Sequence, residues 1–266
     1  MKRFIPFVKS PPRVAVVRLQ GVIASGGRMG ASLNDATLAP VIEKAFSKGK
    51  PTAVALVINS PGGSPVQSAL IAARIRRLAE EKRIPVHAFV EDVAASGGYW
   101  LATAADAIWV DASSVVGSIG VISAGFGFPE LLAKYGVERR VHTAGKSKSF
   151  LDPFRPEKSE DVARLMAILD PVHAAFKEQV SARRGTRLAD SDLFTGDVWV
   201  GQGAVAQGLA DGVAHMVPKL KEVYGEKVRL VPYGVKKSLF QRFGARVLGE
   251  AIDMVEERAL WARYGL

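Results

Sequence analysis

The sequence contains no cysteine, which excludes disulfide bonds and every catalytic mechanism that uses a thiol. The same absence fits a reducing cytosol and an envelope protein equally well, so it does not select a compartment. Histidine is also scarce, and each of the four lies in a pattern typical of a structural residue. Neither of the common phosphate-binding glycine motifs follows a predicted strand. Thiol chemistry is therefore excluded, and imidazole and nucleotide chemistry are poorly supported.

Long apolar runs are missing as well. No stretch approaches about 18 uninterrupted apolar residues, the length that crosses a bilayer. The first nine residues are partly basic, and their short apolar stretch is broken by Pro6, which does not suit the hydrophobic region of a signal peptide. We therefore expect no transmembrane or signal segment in this chain, and a cytoplasmic or peripheral membrane location.

Acidic residues are too few to balance the basic ones. The 36 Lys and Arg exceed the 26 Asp and Glu, which gives a net charge of +10 and a pI of about 9.9. Such a charge favours an anionic partner, either nucleic acid or the cytoplasmic face of a membrane. No zinc-finger spacing, RNA-binding signature or basic-aromatic stripe accompanies the charge, so we do not expect nucleic acid as a partner.

The C-terminal stretch 236–266 carries a second membrane signal. Its apolar residues recur at helical spacing and its basic residues cluster near the start, which predicts an amphipathic helix. Acidic residues in its second half favour docking on protein over anionic lipid. We interpret residues 1–235 as a single domain and 236–266 as a helix packed on the core, a partner subunit or a membrane surface.

Strand-like and helical patterns alternate along the rest of the chain. This alternation predicts parallel βαβ units of the α/β class, and the length and the 48% hydrophobic content provide one sizeable core. A long helical pattern, which Pro171 interrupts, is expected to project from that core. The predicted strands are 14–19, 53–59, 85–90, 107–110 and 137–142, and the predicted helices are 36–48, 65–82, 99–105, 129–135 and 157–184.

Ser96 lies where a predicted strand gives way to a predicted helix, and two glycines follow it. Free backbone N–H groups and the positive end of the helix dipole can stabilise an oxyanion that forms beside such a serine. A second strand-to-helix turn contains Gly62 and Gly63, which predicts a pair of converging N–H donors. The alternatives are that Ser96 only caps its helix and that the second turn is an ordinary βα connection.

A serine nucleophile needs a base, and the histidines offer little, so a lysine is the remaining candidate. Lys148 is favoured over Lys146 in a loop flanked by apolar residues. A lysine accepts a proton only when it is uncharged, and burial favours that form. The alternative for a lysine in such a loop is a solvated surface charge.

These features together resemble the signal peptide peptidase A family of Ser-Lys endopeptidases, in its short bacterial form. The resemblance extends from about Val14 to Val217, and its strength lies in the order of the blocks. They are residues 60–63 (SPGG), 95–99 (ASGGY), 117–121 (GSIGV), 148–154 (KSFLDPF) and a later group formed by 194–196 (FTG), 199–204 (WVGQGA) and 208–211 (GLAD).

The resemblance implies a role for each matching residue. Ser96 matches the nucleophile and Lys148 the general base, while Ser118 matches a serine that orients the lysine. Gly97 and the Gly62-Gly63 turn match the oxyanion region. It further implies a crotonase/Clp-protease-like core, a homo-oligomeric ring or dome that completes the sites, and peptide substrates such as remnant signal peptides.

Two residues depart from the family pattern, because Ser147 stands where many relatives have tyrosine and Asp152 where many have glutamate. A carboxylate beside the lysine would favour its charged form, so Asp152 is predicted to point away from Lys148. No cofactor and no metal are expected. Two other functions stay open at this point: a crotonase-like acyl-CoA enzyme and a non-catalytic scaffold at a membrane surface.

Overall fold

A computed structural model describes residues 10–26, 32–145, 147–234 and 260–266. Most of the predicted C-terminal helix falls on 235–259, outside the described residues, as do Lys146 and the N-terminal nine residues. The described strands are β1 (Arg13–Gln20), β2 (Ala53–Ser60), β3 (Val86–Ala95), β4 (Ala107–Val110), β5 (Val115–Gly117), β6 (Val198–Val200), β7 (Gly212–Val213) and β8 (Arg229–Tyr233). The described helices are α1 (Asp35–Ser47), α2 (Pro65–Lys82), α3 (Gly97–Ala102), α4 (Pro129–Lys134), α5 (Ser159–Arg184), α6 (Gly201–Ala206) and α7 (Met216–Tyr224).

The strands form one sheet in the order β6-β5-β3-β2-β1-β8, and β4 pairs with both β3 and β7. Every pairing is parallel except that of β5 with β6. Strand β2 lies in the middle and all eight of its residues are buried, which explains its nearly continuous apolar sequence. The predicted α/β class with parallel βαβ units is confirmed.

Helices cover both faces of the sheet. Helices α1, α2 and α3 pack on one face and enclose the larger apolar core, which includes Phe46, Ile75 and Tyr99. Helix α7 covers the other face, where Leu220 is fully buried among Val14, Ala53, Ala55 and Phe89. Burial on both faces holds the carboxyl ends of β2, β3 and β5 rigidly at one edge, where the glycine turns begin.

The segment between β5 and α5, residues 118–158, forms an arm that departs from the predicted pattern. Helix α4 is present at 129–134 and has no buried residue. The predicted strand at 137–142 is wrong, because these residues are mostly exposed and pair with no strand among the described residues. An apolar run becomes a strand only when a neighbouring strand satisfies its backbone.

Helix α5 is continuous through Pro171, so the predicted interruption is wrong. Proline removes the hydrogen bond to the carbonyl of Ala167, and both positions are exposed, so water can solvate that carbonyl. The first half of α5 projects from the core as expected. Its second half packs on the core through Phe176 and Val180, both nearly fully buried.

Candidate functional site

Ser96 occupies a sharp turn between β3 and α3, with φ 52° and ψ −123°. A non-glycine residue in this region carries a strain of about 1–3 kcal/mol, and such strand-turn-helix serines are found as enzyme nucleophiles. The Ser96 side chain makes no capping hydrogen bond to α3. The alternative that Ser96 serves only as a helix cap is therefore not supported.

The two glycine turns are in direct contact, as the sequence predicts. Gly62 has φ 103°, and a Cβ there would lie 2.8 Å from the Ala95 carbonyl oxygen, the Gly97 nitrogen and the Ser96 Cβ. A Cβ on Gly97 would collide with Ser68 Oγ. These positions accept only glycine because backbone and side-chain atoms fill the space that a Cβ needs.

The backbone N–H groups of Gly63 and Gly97 are the available oxyanion donors. A Cβ built on Gly97 would lie 3.4 Å from the Gly63 nitrogen, which shows how close the two residues are. Neither N–H donates to a protein acceptor among the described residues, whereas that of Gly62 donates to Ser60 Oγ and that of Ser96 to the Gly117 carbonyl. Gly62 thus provides room, and Gly63 and Gly97 provide two free donors beside Ser96.

Ser118 lies next to Ser96 because their strands are paired in register. Ala95 of β3 is opposite Gly117 of β5, so the following serines leave the sheet side by side. Ser118 also has a positive φ of 51°, and its N–H donates to the Asp197 carbonyl oxygen over 2.6 Å. The sheet register therefore places both serines at one edge.

Both serines line a cavity of about 530 Å³. Trp100 and Phe176 form part of its apolar wall, and their rings stack with centroids 4.9 Å apart. Trp100 follows Ser96 by four residues, a spacing that is visible in the sequence and that places both on one face of a helix. Phe176 comes from a distant element and gave no local signal. The remaining lining residues are Pro61, Gly63, Pro65, Gly97, Gly120, Val121, Ile122, Val172, Thr195, Gly196, Leu260, Arg263 and Tyr264.

Lys148 does not line this cavity in the single chain. It lies exposed on the arm, in a loop whose next residues line a separate cavity of about 810 Å³. Asp152 is engaged by the Arg139 guanidinium at 3.1 Å and by the N–H of Phe154, and that backbone N–H and the arginine lower the pKa of the Asp152 carboxyl. The structure thus brings Ser96, Ser118, Gly63 and Gly97 together and leaves Lys148 on a separate surface.

The described residues hold no group of three or more histidine, aspartate or glutamate side chains with the geometry of a metal site. Within the same ranges, each helix is too short or too polar to cross a membrane.

Comparison with known proteins places this geometry in a family. The model of peptidase family S49 matches residues 78–224, which include Ser96, Ser118 and Lys148. The chain belongs to peptidase family S49. The resemblance to the signal peptide peptidase A family is thereby confirmed at the level of this family.

Individual relatives of this S49 chain are longer. The probable protease SohB of Haemophilus influenzae is 34% identical over 76% of this chain and 57% of that protein. The protein named Na(+)/H(+) antiporter NhaA of Brucella melitensis is 49% identical over all of this chain, which spans only 39% of it. A solved structure of the membrane-bound stomatin-specific protease 1510-N has a TM-score of 0.49 and 14% identity, over 86% of this chain and 100% of the solved one.

Proposed function

We propose that this S49 chain is a serine endopeptidase in which Ser96 is the nucleophile and Lys148 the general base. One observation carries the proposal: the Ser96 side chain makes no capping bond to α3 and lies in a strained turn beside the N–H groups of Gly63 and Gly97, which have no acceptor among the described residues. The apolar wall with Trp100 and Phe176 suits an unfolded or membrane-derived peptide, such as a remnant signal peptide.

The proposed reaction is acyl transfer in two steps. Uncharged Lys148 Nζ takes the Ser96 hydroxyl proton while Oγ attacks the peptide carbonyl carbon, and the oxyanion accepts hydrogen bonds from Gly63 and Gly97. The C–N bond breaks, the Lys148 ammonium protonates the leaving amine, and an ester remains on Ser96. Water then attacks the ester and gives a proton to Lys148, and the Lys148 ammonium returns that proton to Ser96 Oγ as the acid product leaves. Ser118 orients the lysine without adding a charge.

We propose further that a second copy of the chain brings Lys148 to Ser96. The exposed lysine shares the arm with large exposed apolar side chains. Exposed apolar patches on a protein commonly mark sites of contact with another protein chain. Helix α4, in the middle of the arm, has no buried residue within the described part of the chain. These side chains are Ile122, Phe126, Phe128, Leu131, Tyr135, Val137 and Phe154. A homo-oligomer formed through the arm covers them and provides the dry surroundings that an uncharged lysine needs.

We propose peripheral membrane contact as the setting of this activity. The net charge of +10 favours contact with an anionic leaflet. In the Brucella relative, a region similar to this chain is part of a longer protein that is named as an antiporter. The antiporter name itself is not transferred, because the chain spans 39% of that protein.

Peptide cleavage by the purified full chain tests the proposal. Ser96→Ala and Lys148→Ala are each expected to abolish cleavage of a fluorogenic peptide library while circular dichroism stays unchanged. Lys148→Arg should be equally inactive, because a guanidinium does not lose its proton. Lys158→Ala, at an exposed position on the same arm, is the matched control and should retain activity.

The outcomes separate the open alternatives. Peptide cleavage that survives in a Ser96→Ala and Lys148→Ala double variant would eliminate the dyad. Thioester turnover by Ser96→Ala would favour the crotonase-like acyl-CoA enzyme. Liposome binding without peptidase activity in the wild-type chain would favour the membrane-surface scaffold.

A further inference from the structure

His173, on the packed half of α5, reaches the turn that carries Ser118. Its Nε2 lies 3.2 Å from the carbonyl oxygen of Ile119, the residue after Ser118. A carbonyl oxygen only accepts, so Nε2 carries the proton in this contact. The Ile119 side chain is fully buried, so the residue that His173 contacts is also held by packing in the core. The sequence pattern alone predicts only a structural role for His173.

The Ser118 turn needs such support because its backbone is strained. Gly117 and Ser118 both have positive φ, at 108° and 51°. The Ser118 N–H donates to the Asp197 carbonyl oxygen. The Ser118 carbonyl oxygen accepts from the Gly120 N–H at 2.9 Å. A non-glycine residue keeps this conformation only where its surroundings over-determine it. His173 supplies the contact that comes from the α5 side.

Helix α5 also contacts α3, the helix that begins directly after Ser96. Three residues after His173, Phe176 stacks on Trp100 of α3. Further along, Gln179 donates to Thr103 Oγ1, and the Arg183 guanidinium donates to the Thr103 and Ala105 carbonyl oxygens. One helix therefore contacts the end of the element that begins at Ser96 and the turn that carries Ser118.

We infer that His173 is a positioning residue: it fixes the Ser118 turn relative to Ser96 so that Ser118 can align the lysine base. The inference rests on the proposed function. A shift of this turn misaligns the base, whereas the stacked rings of Trp100 and Phe176 keep their place in the cavity wall. Loss of the His173 contact is therefore expected to reduce kcat and to change KM little.

Kinetics of His173 variants in the full chain test this role. His173→Leu removes the donor and is expected to lower kcat by about 10-fold or more with KM within about twofold of wild type. His173→Gln, whose amide N–H reaches a position similar to Nε2, should recover kcat to within a few-fold. Glu178→Leu, at an exposed position of the same helix, is the control and should match wild type.

A double-mutant cycle with Ser118→Ala separates positioning from a general effect on the fold. If His173 acts through Ser118, His173→Leu has little further effect on kcat in the Ser118→Ala background. Equal losses in both backgrounds, or a wild-type kcat in His173→Leu, would overturn the inference. Should the leucine variant not fold, His173→Asn replaces it, because the shorter side chain does not reach the Ile119 carbonyl. A wild-type chain that cleaves no peptide would instead refute the proposed function.

Discussion

The backbone N–H of Ser96 donates to the Gly117 carbonyl oxygen over 2.8 Å, which ties the candidate nucleophile to the residue before Ser118. A Cβ on Gly117 would lie 2.8 Å from the Trp199 ring, so this junction has no spare room. The distance between the two serines is therefore set within one chain. The position of Lys148 relative to them is not, and this asymmetry leads to the first prediction.

Mixed oligomers should regain activity from two inactive variants. When Ser96→Ala and Lys148→Ala chains are co-expressed in equal amounts, a site is complete only if a serine-bearing copy meets a lysine-bearing neighbour. Random assembly then gives about a quarter of the wild-type kcat per site. Co-purified hetero-oligomers and a fluorogenic peptide provide the measurement. Activity that remains at the level of the separate variants would place the dyad within one chain or refute it.

Phe126→Asp is expected to break the proposed interface between copies. Phe126 is 82% exposed and packs against Phe128 on the arm, so a carboxylate there would be buried unpaired in an oligomer. Light scattering after gel filtration should show a lower mass and the peptidase assay a matching loss. Val223→Asp, at an exposed position of α7, is the control. An unchanged mass for Phe126→Asp would remove the arm from the interface.

Gly98→Ala should destabilise the chain although alanine is the better helix former. A Cβ at Gly98 would collide with the Ser60 carbonyl oxygen, and relief of such overpacking costs about 1–3 kcal/mol. Gly203→Ala, in α6, meets nothing within 4 Å and should stabilise by about 0.4–1 kcal/mol. Denaturant unfolding of both variants checks the contrast. Equal effects at the two positions would contradict the tight contact between α3 and the end of β2.

Stability should fall on acidification through His87. Burial is the main cause of the lowered pKa of this imidazole, with Lys219 acting in the same direction and Asp106 opposing it. The Tyr224 hydroxyl lies 2.8 Å from Nε2, and no partner of the buried Nδ1 is found among the described residues. The unfolded chain therefore binds the His87 proton more readily than the folded chain does. The contribution of neutral His87 to the free energy of unfolding is complete above pH 6.5 and is lost as the pH falls below it.

The slope from this one proton is at most about 1.4 kcal/mol per pH unit. Denaturant unfolding between pH 5 and 8 measures it, and His87→Gln should flatten the curve in this range. His142→Gln, at an exposed position, should leave the slope unchanged. A wild-type slope in His87→Gln would assign the acid sensitivity to other groups.

The sequence predicts correctly those helix ends that are set by residues close by in the chain. Helix α2 has its predicted bounds, because the Ser64 side chain accepts from the Gln67 N–H at its start and Arg83 adopts a left-handed conformation at its end. Strand β3 extends beyond the predicted Val90 as far as Ala95, because its last residues pair with β5, a contact that sequence periodicity does not report. The same pairing places Ser118 beside Ser96.

Residues whose position depends on distant elements were not predictable in this way. Phe176 and His173 meet the site only through the packing of α5 on α3. The placement of Lys148 depends on what covers the arm. The sequence of one chain does not show how a second copy lies against it. The sequence therefore predicts which turns meet at one edge of the sheet, and it carries no comparable prediction of how copies of the chain assemble.

The unbroken course of α5 past Pro171 has a mechanical consequence. The backbone hydrogen bond lost there lies between the projecting half of the helix and the half anchored by Phe176 and Arg183. With one backbone hydrogen bond fewer, this joint is where we expect the projecting half of α5 to bend most easily, two residues before His173.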